Sequence, residues 1–219
     1  MKKKIVWLAI LASGLSGSVM AQHEEKEYDA GWWTNVSIAP KPVNGKWKTL
    51  YSLEFRSKDY IREVDLFCGM INLDYVVNEH VQIGAGYELF LNKKSGGGYY
   101  PEYRYYPEAI FSYALGRFSA ALRSRVMNTY TEWRHPNFDH RNRFKVNYSI
   151  KETPLKPFVY VEPYHAIDNC SYRFSKIRYA AGCAYKQGHH QFDLYYLQED
   201  YHLRPFTRHV LEIDYNYSF

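Results

Sequence analysis

His209-Val210-Leu211-Glu212-Ile213-Asp214-Tyr215-Asn216-Tyr217-Ser218-Phe219, the last eleven residues of the chain, alternate strictly between two kinds of side chain. His209, Leu211, Ile213, Tyr215, Tyr217 and Phe219 share one face; Val210, Glu212, Asp214, Asn216 and Ser218 share the other. Successive side chains of a strand point to opposite sides, so this is one apolar wall and one mostly polar wall. A soluble sheet can carry such a pattern, but a soluble domain seldom finishes on it with an aromatic last.

The same period recurs upstream. Alternating stretches run near residues 31–39, 46–57, 64–77, 80–92, 100–115, 117–130, 139–151, 155–166, 173–186, 189–200 and 207–219. No stretch of any length shows a helical period. Tight turns at Asn78-Glu79, Gly116-Arg117, Glu152-Thr153 and Gln187-Gly188 alternate with longer polar connections at 92–98, 131–139, 167–172 and 200–206. Ten-residue alternating segments with short turns at one end and longer loops at the other are the pattern of a membrane barrel. The fold class is therefore all-β, a transmembrane antiparallel up-and-down β-barrel of 10–12 strands.

Register arithmetic tests that reading. A two-residue loop at Gly116-Arg117 puts Phe111 opposite Leu122 on the apolar side and Glu108 opposite Arg125 on the polar side. The turn at Glu152-Thr153 sets Arg143 across from Glu162, and the one at Gln187-Gly188 sets Lys176 across from Glu199. Opposite charges directly across antiparallel strands stabilise by roughly 0.2–1 kcal/mol each. Two features fit less well. Eleven segments conflict with the even strand counts of bacterial barrels, so 31–39 is either tucked into the lumen or a sign of a missed or split strand. Pro107 and Pro163 fall in mid-strand, where each removes a ladder hydrogen bond and predicts a bulge or distortion.

The other end of the chain concerns location. Lys2, Lys3 and Lys4 precede an apolar run from Ile5 to Leu15, and Ser18-Val19-Met20-Ala21 ends in small residues. This reads as a secretory signal peptide over 1–21, cleaved after Ala21 and too short to span a bilayer as a helix. Residues 22–30 then form a periplasmic or lumenal N-terminal segment, and 31–219 the barrel. The signal peptide takes three lysines and no acid, leaving a mature excess of two positive charges, with no basic cluster to bind nucleic acid. A mean hydropathy of −0.52 beside 18% aromatic residues excludes a helical membrane protein and suits a barrel with aromatic girdles. Cys68, Cys170 and Cys183 lack metal spacing and are expected to be free thiols; no metal or cofactor is implied.

Several motifs together resemble a known family. They are Gly31-Trp32-Trp33, the run from Trp47 to Glu54, Ile83-Gly84-Ala85-Gly86-Tyr87, Arg141-Asn142-Arg143-Phe144 and the run from Pro157 to Glu162. Arg178-Tyr179 with Gly182, Tyr195-Tyr196 and the run from Asp214 to Phe219 complete them. The chain from Gly31 to Phe219 is similar to domain-of-unknown-function family 2490, uncharacterised bacterial outer-membrane β-barrels. The resemblance implies a barrel and the outer membrane, and supplies no catalytic residues. Tyr215, Tyr217 and the final Phe219 also resemble the C-terminal signal read by the barrel assembly machinery, which is thereby a partner along with outer-membrane lipid and lipopolysaccharide.

Alternation assigns Glu54, Glu88, Arg104, Glu108, Arg123, Arg125, Arg143, Lys145, Glu162, Arg178, Glu212 and Asp214 to the inside. Six are acidic and six basic, so they form either charge rings of a narrow porin-like pore for small polar solutes or a neutralised network that fills a structural barrel. Glu212 and Asp214 are then acid partners for the inward arginines. An alternative is a lipid-modifying enzyme of acyl-hydrolase type, for which Ser124 on the lipid face and His140 at an outer loop are the candidates. His135, Asp139 and His202 also lie in or beside predicted outer loops, but no G-x-S-x-G or H-E-x-x-H motif is present. A third class is binding through surface loops, where Trp133 and Phe138 occupy one tip.

Overall fold

The computed structural model describes residues 27–94, 96–168 and 171–219, and there eleven strands close into one barrel with no helix. In chain order they are β1 (Glu27–Ala39), β2 (Trp47–Lys58), β3 (Glu63–Val76), β4 (Val81–Lys93), β5 (Tyr99–Leu115) and β6 (Phe118–Thr131). The remainder are β7 (Arg134–Tyr148), β8 (Leu155–Asp168), β9 (Ser171–Gln187), β10 (His190–Tyr201) and β11 (Phe206–Ser218). Each strand pairs with its sequence neighbours, antiparallel throughout. Residues 1–21, read above as a signal peptide, and Cys170 lie outside the described residues; Cys68 and Cys183 are free thiols.

The even count is not met, and the stretch 31–39 is neither tucked inside nor half of a split strand. It belongs to β1, which starts four residues earlier at Glu27. An up-and-down sheet with an odd number of strands brings its first and last strands together pointing the same way, and β1 pairs with β11 in parallel from Glu27↔Phe206 to Ala39↔Ser218. This seam is fastened along its length. The Glu27 amide donates to the Pro205 carbonyl (2.8 Å) and the Phe219 amide to the Ala39 carbonyl (3.1 Å). The Thr34 hydroxyl donates to the Ile213 carbonyl (2.9 Å), and Arg208 bridges Asp29 (2.9 Å) and Asp65 of β3 (3.2 Å).

The register agrees with the sequence arithmetic at two hairpins and departs at a third. Glu108 pairs with Arg125, and Phe111 with Leu122. Across β7 and β8 the ladder runs in the register that sets Arg143 against Glu162. Between β9 and β10 the turn is Gly188-His189 instead of Gln187-Gly188, because Gly188 supplies the positive φ (+59°) that a two-residue hairpin needs at its first position. Glu199 therefore faces Arg178, and Lys176 faces Tyr201. The shift is by two residues in the pairing, so every side chain keeps its face.

A second correction concerns β7. The stretch 131–139 is not a nine-residue loop; β6 and β7 continue to a turn at Glu132-Trp133. His135, Asp139 and His140 are therefore strand residues, and Phe138 sits well below the Trp133 tip. Both prolines interrupt the ladder on one side only. No pairs occur between Tyr105↔Asn128 and Glu108↔Arg125 beside Pro107, nor between Arg141↔Tyr164 and Phe144↔Val161 beside Pro163. On their other sides Pro107 pairs with Ala85 and Pro163 with Ile177.

Burial is inverted relative to a soluble domain. Glu162 and Glu199 are fully buried inside, whereas Leu53 on the outer surface is 71% exposed. Leu73, Leu89, Leu122, Val159, Leu194 and Leu211 join it outside, while Trp33, Phe158, Tyr160, Tyr195, Leu197 and Val210 pack together within. That inner cluster depends on a close approach at Gly182, the partner of Tyr195. A Cβ on Gly182 would stand 2.2 Å from the Tyr195 Cβ and 2.4 Å from the Leu194 carbonyl oxygen. Gly182→Ala should therefore destabilise the barrel by about 1–3 kcal/mol in urea unfolding. Gly69→Ala, whose Cβ meets only Leu53 at 3.9 Å, should be nearly neutral; equal effects would refute the packing argument.

Candidate functional site

The inward charges gather in two neighbouring clusters that together make the lumenal network. At the centre of the first, the carboxylate of Glu162 on β8 accepts from Arg141 Nε (2.6 Å) and from Arg143 Nε and Nη2 (2.7 and 3.1 Å). Arg123 on β6 donates at 3.2 Å, the Tyr164 hydroxyl at 3.2 Å, and Arg178 on β9 stands at 3.8 Å. Arg178 passes the chain on, donating its Nε to Glu199 on β10 at 2.8 Å beside Lys176 at 2.7 Å. In the second cluster, on the adjoining strands β4 to β6, Arg125 bonds Glu108 (2.9 Å) and approaches Glu88 (3.5 Å), which also holds Arg104 (3.0 Å). Asn72 ties Glu108 to the Tyr106 hydroxyl.

Aromatic faces complete the lining. Arg125 lies over Tyr106 at 3.8 Å, Arg143 over Tyr160 at 4.5 Å, and Arg56 over Trp33 at 4.1 Å. A desolvated guanidinium over a ring gains up to about 2 kcal/mol, which helps offset its removal from water. Beside the network lies a cavity of about 280 Å³, lined by residues that include Trp33, Glu54, Asn72, Arg123, Glu212 and Asp214. Trp33 Nε1, Asn35 Oδ1, Asp74 Oδ1, Arg123 Nε and Asp214 Oδ1, all from lining residues, have no protein hydrogen-bond partner. A polar cavity of this size with such groups offers partners to bridging water.

Of the inward residues expected from alternation, Glu88, Arg104, Glu108, Arg123, Arg125, Arg143, Glu162 and Arg178 are all in the network. Glu54 pairs with its own strand neighbour Arg56 (2.6 Å), and Lys145 lies over Phe158 at 3.9 Å. Glu212 and Asp214 do face inside, but not as partners of the arginines. Among the described residues neither makes an ion pair, and Asp214 accepts from the Tyr195 hydroxyl at 3.1 Å. Sequence reasoning missed Arg141, although it stands two residues before Arg143 and shares its parity. It also missed Trp33, Tyr106 and Tyr160, whose aromatic character suggested nothing about an interior of charges.

Outside the barrel the two residues singled out for chemistry also meet. Ser124 Oγ lies 2.9 Å from His140 Nε2, and His140 Nδ1 lies 2.6 Å from the Tyr172 hydroxyl. Tyr172 stacks flat on His165, with centroids 4.4 Å apart. Among the described residues no cluster of His, Cys, Asp and Glu has the make-up to hold a metal.

Fold and interior together define a closed β-barrel with an ion-paired lumen and an apolar exterior. The chain belongs to the family described as "Protein of unknown function (DUF2490)", whose model matches residues 30–206. No curated protein matches it in sequence.

The network generates a stability prediction. Removing one partner of a buried ion pair costs about 3–5 kcal/mol, because the other charges remain buried without compensation. Glu162→Gln should therefore lower unfolding free energy by about that amount in urea titrations of the folded barrel. Arg173→Ala, which removes the exposed pair with Asp168, should change it by less than about 1 kcal/mol.

Proposed function

We propose that this protein is a transmembrane barrel of the bacterial outer membrane whose lumen is closed by ion pairs and serves as a rigid filling, not as an open pore. The observation that carries this reading is Glu162: fully buried, it gathers guanidinium groups from β6, β7 and β9, strands on either side of its own, and fills the lumen along that stretch of wall with paired charge. The outer surface supports the membrane half of the proposal. Leu53, Ile71, Leu89, Leu122 and Val159 are exposed on it, and exposed aromatics such as Trp47, Phe118 and Phe192 at one end and Tyr99, Tyr130 and Trp133 at the other flank them. Lipid would cover that apolar surface, as in known membrane barrels.

The basic, apolar, small-residue order of residues 2–21 supports export, and the last strand with Tyr215, Tyr217 and Phe219 supports handling by the barrel assembly machinery. Outer-membrane lipid and lipopolysaccharide are then the permanent partners. The cavity of about 280 Å³ sits at the lower edge of small-molecule sites, about 300–1,000 Å³, so it suits water or a very small polar solute. Described connections at the end opposite Phe219 are short, such as Asp59–Arg62 and His202–Pro205, which disfavours a loop-based binding surface.

Planar-bilayer recordings test the closed lumen. The refolded protein should give no stable conductance steps, and Glu162→Ala combined with Arg143→Ala should open measurable ones. Large, stable steps from the unaltered protein would overturn the proposal. For the membrane half, Leu122→Arg should cost about 2–4 kcal/mol if it lies near mid-bilayer. The readout is unfolding from lipid vesicles; no change there would contradict a lipid-facing Leu122.

A further inference from the structure

We propose that the outer surface carries a serine-dependent site for acyl esters of membrane lipid, with Ser124 as nucleophile, His140 as general base and Tyr172 as the residue that positions His140. This goes beyond the closed-lumen reading and rests on its membrane half alone.

The geometry is that of an activated hydroxyl. A serine is a weak nucleophile until a base accepts its proton, and the diagnostic arrangement is a base in hydrogen-bond reach that is itself oriented by a third group. Ser124 Oγ is 2.9 Å from His140 Nε2, and the other ring nitrogen meets the Tyr172 hydroxyl at 2.6 Å. With Nδ1–H donating to Tyr172, Nε2 is the acceptor that Ser124 needs. The residues come from three strands, β6, β7 and β9, so the chain of contacts is built by the barrel and not by a local turn. Asn142, directly opposite Ser124 in the ladder, shares that face and offers a side-chain amide to a developing oxyanion.

Tyr172 reaches this face only through a bulge. On β9 Lys176 and Arg178 point inside, so unbroken alternation would send Phe174 and Tyr172 inside as well. Instead Tyr164 pairs with Lys176 and the next residue, His165, with Phe174, leaving Ser175 as the extra residue. That one insertion turns Tyr172 outward onto His165 and within reach of His140. Bulges commonly re-aim side chains beside active sites. The surroundings are those of a lipid-facing wall: Ser124 sits midway along β6 between exposed Leu122 and Val126, so an acyl chain would lie directly against it.

The reaction balances with water as co-reactant. Ser124 Oγ bonds to the ester carbonyl carbon as its proton passes to His140 Nε2. The carbon–oxygen bond to the lipid alcohol breaks, and His140 returns the proton to the leaving oxygen. Water, deprotonated by His140, then attacks the acyl-serine, releasing a fatty acid and regenerating Ser124.

The test uses the full mature chain refolded in vesicles of phosphatidylethanolamine and phosphatidylglycerol and, separately, with lipopolysaccharide, with heat-modifiable gel mobility recording folding. Fatty acid should be released from one of the two, which identifies the ester source, and a fluorophosphonate should label Ser124. Ser124→Ala should abolish labelling and reduce release at least 100-fold; His140→Ala should reduce release comparably. Tyr172→Phe should lower turnover about 3- to 30-fold and displace its pH profile, which a purely structural tyrosine would not do. A folded, membrane-inserted protein that neither releases fatty acid nor reacts with the fluorophosphonate overturns the site. A protein that fails to insert would refute the membrane reading instead.

Discussion

Glu162 and the guanidinium groups around it impose the constraint on which the rest of the barrel depends. An unpaired buried carboxylate carries a penalty of several kcal/mol, and so does each unpaired arginine. Arg123, Arg141, Arg143 and Arg178 can meet Glu162 only if β6 to β9 hold one register. A slip of one residue between any two of these strands would turn a full set of charges outward and a set of leucines and valines inward. The apolar exterior and the ionic interior are thus two sides of one alignment. The aromatic faces of Trp33, Tyr106 and Tyr160 cover guanidinium groups beside the salt bridges, and the cavity of about 280 Å³ is the space they leave.

Much of this was legible in the sequence because strand alternation has a period of two and charges mark it clearly. The strands from β2 onward and the inward position of residues such as Glu108, Arg125 and Glu162 follow from parity alone, whereas 31–39 alternates in the same way but stays open in the sequence because it makes the count odd. Parity also survives the two-residue error at the β9–β10 turn, since an even shift keeps each side chain on its face. The failures have a different origin. The upper part of β7, His135-Pro136-Asn137, carries turn-like residues and a proline, so local propensity argued for a loop where the barrel continues a hairpin. The bulge at Ser175 lies across from Tyr164 and His165, next to Pro163, where a mid-strand proline predicts a distortion; the sequence does not show that the extra residue falls on β9. That is why Ser124 and His140 could be named as candidates but Tyr172 could not.

The parallel seam between β1 and β11 follows from topology. Eleven antiparallel strands leave the first and last pointing the same way, and parallel pairing is slightly weaker per residue than antiparallel. Here the full length of both strands is used, and Arg208 adds an ionic clasp to Asp29 and Asp65. The seam also places Glu27 at the end of the barrel opposite Phe219, so the chain enters and leaves at different rims.

The two prolines set the mechanical character of the wall. Pro107 opens the ladder between β5 and β6, and Pro163 opens it between β7 and β8, so the β6–β7 hairpin is bounded by an interrupted seam on each side. Ser124 and His140 both ride on that hairpin. Its own internal ladder is continuous from Phe118↔Tyr148 to Thr129↔Asn137, which makes it a stiff panel hung between two compliant edges. Lateral pressure from the surrounding medium would be felt there first, as a tilt of the panel, while the remaining wall of the barrel stays rigid.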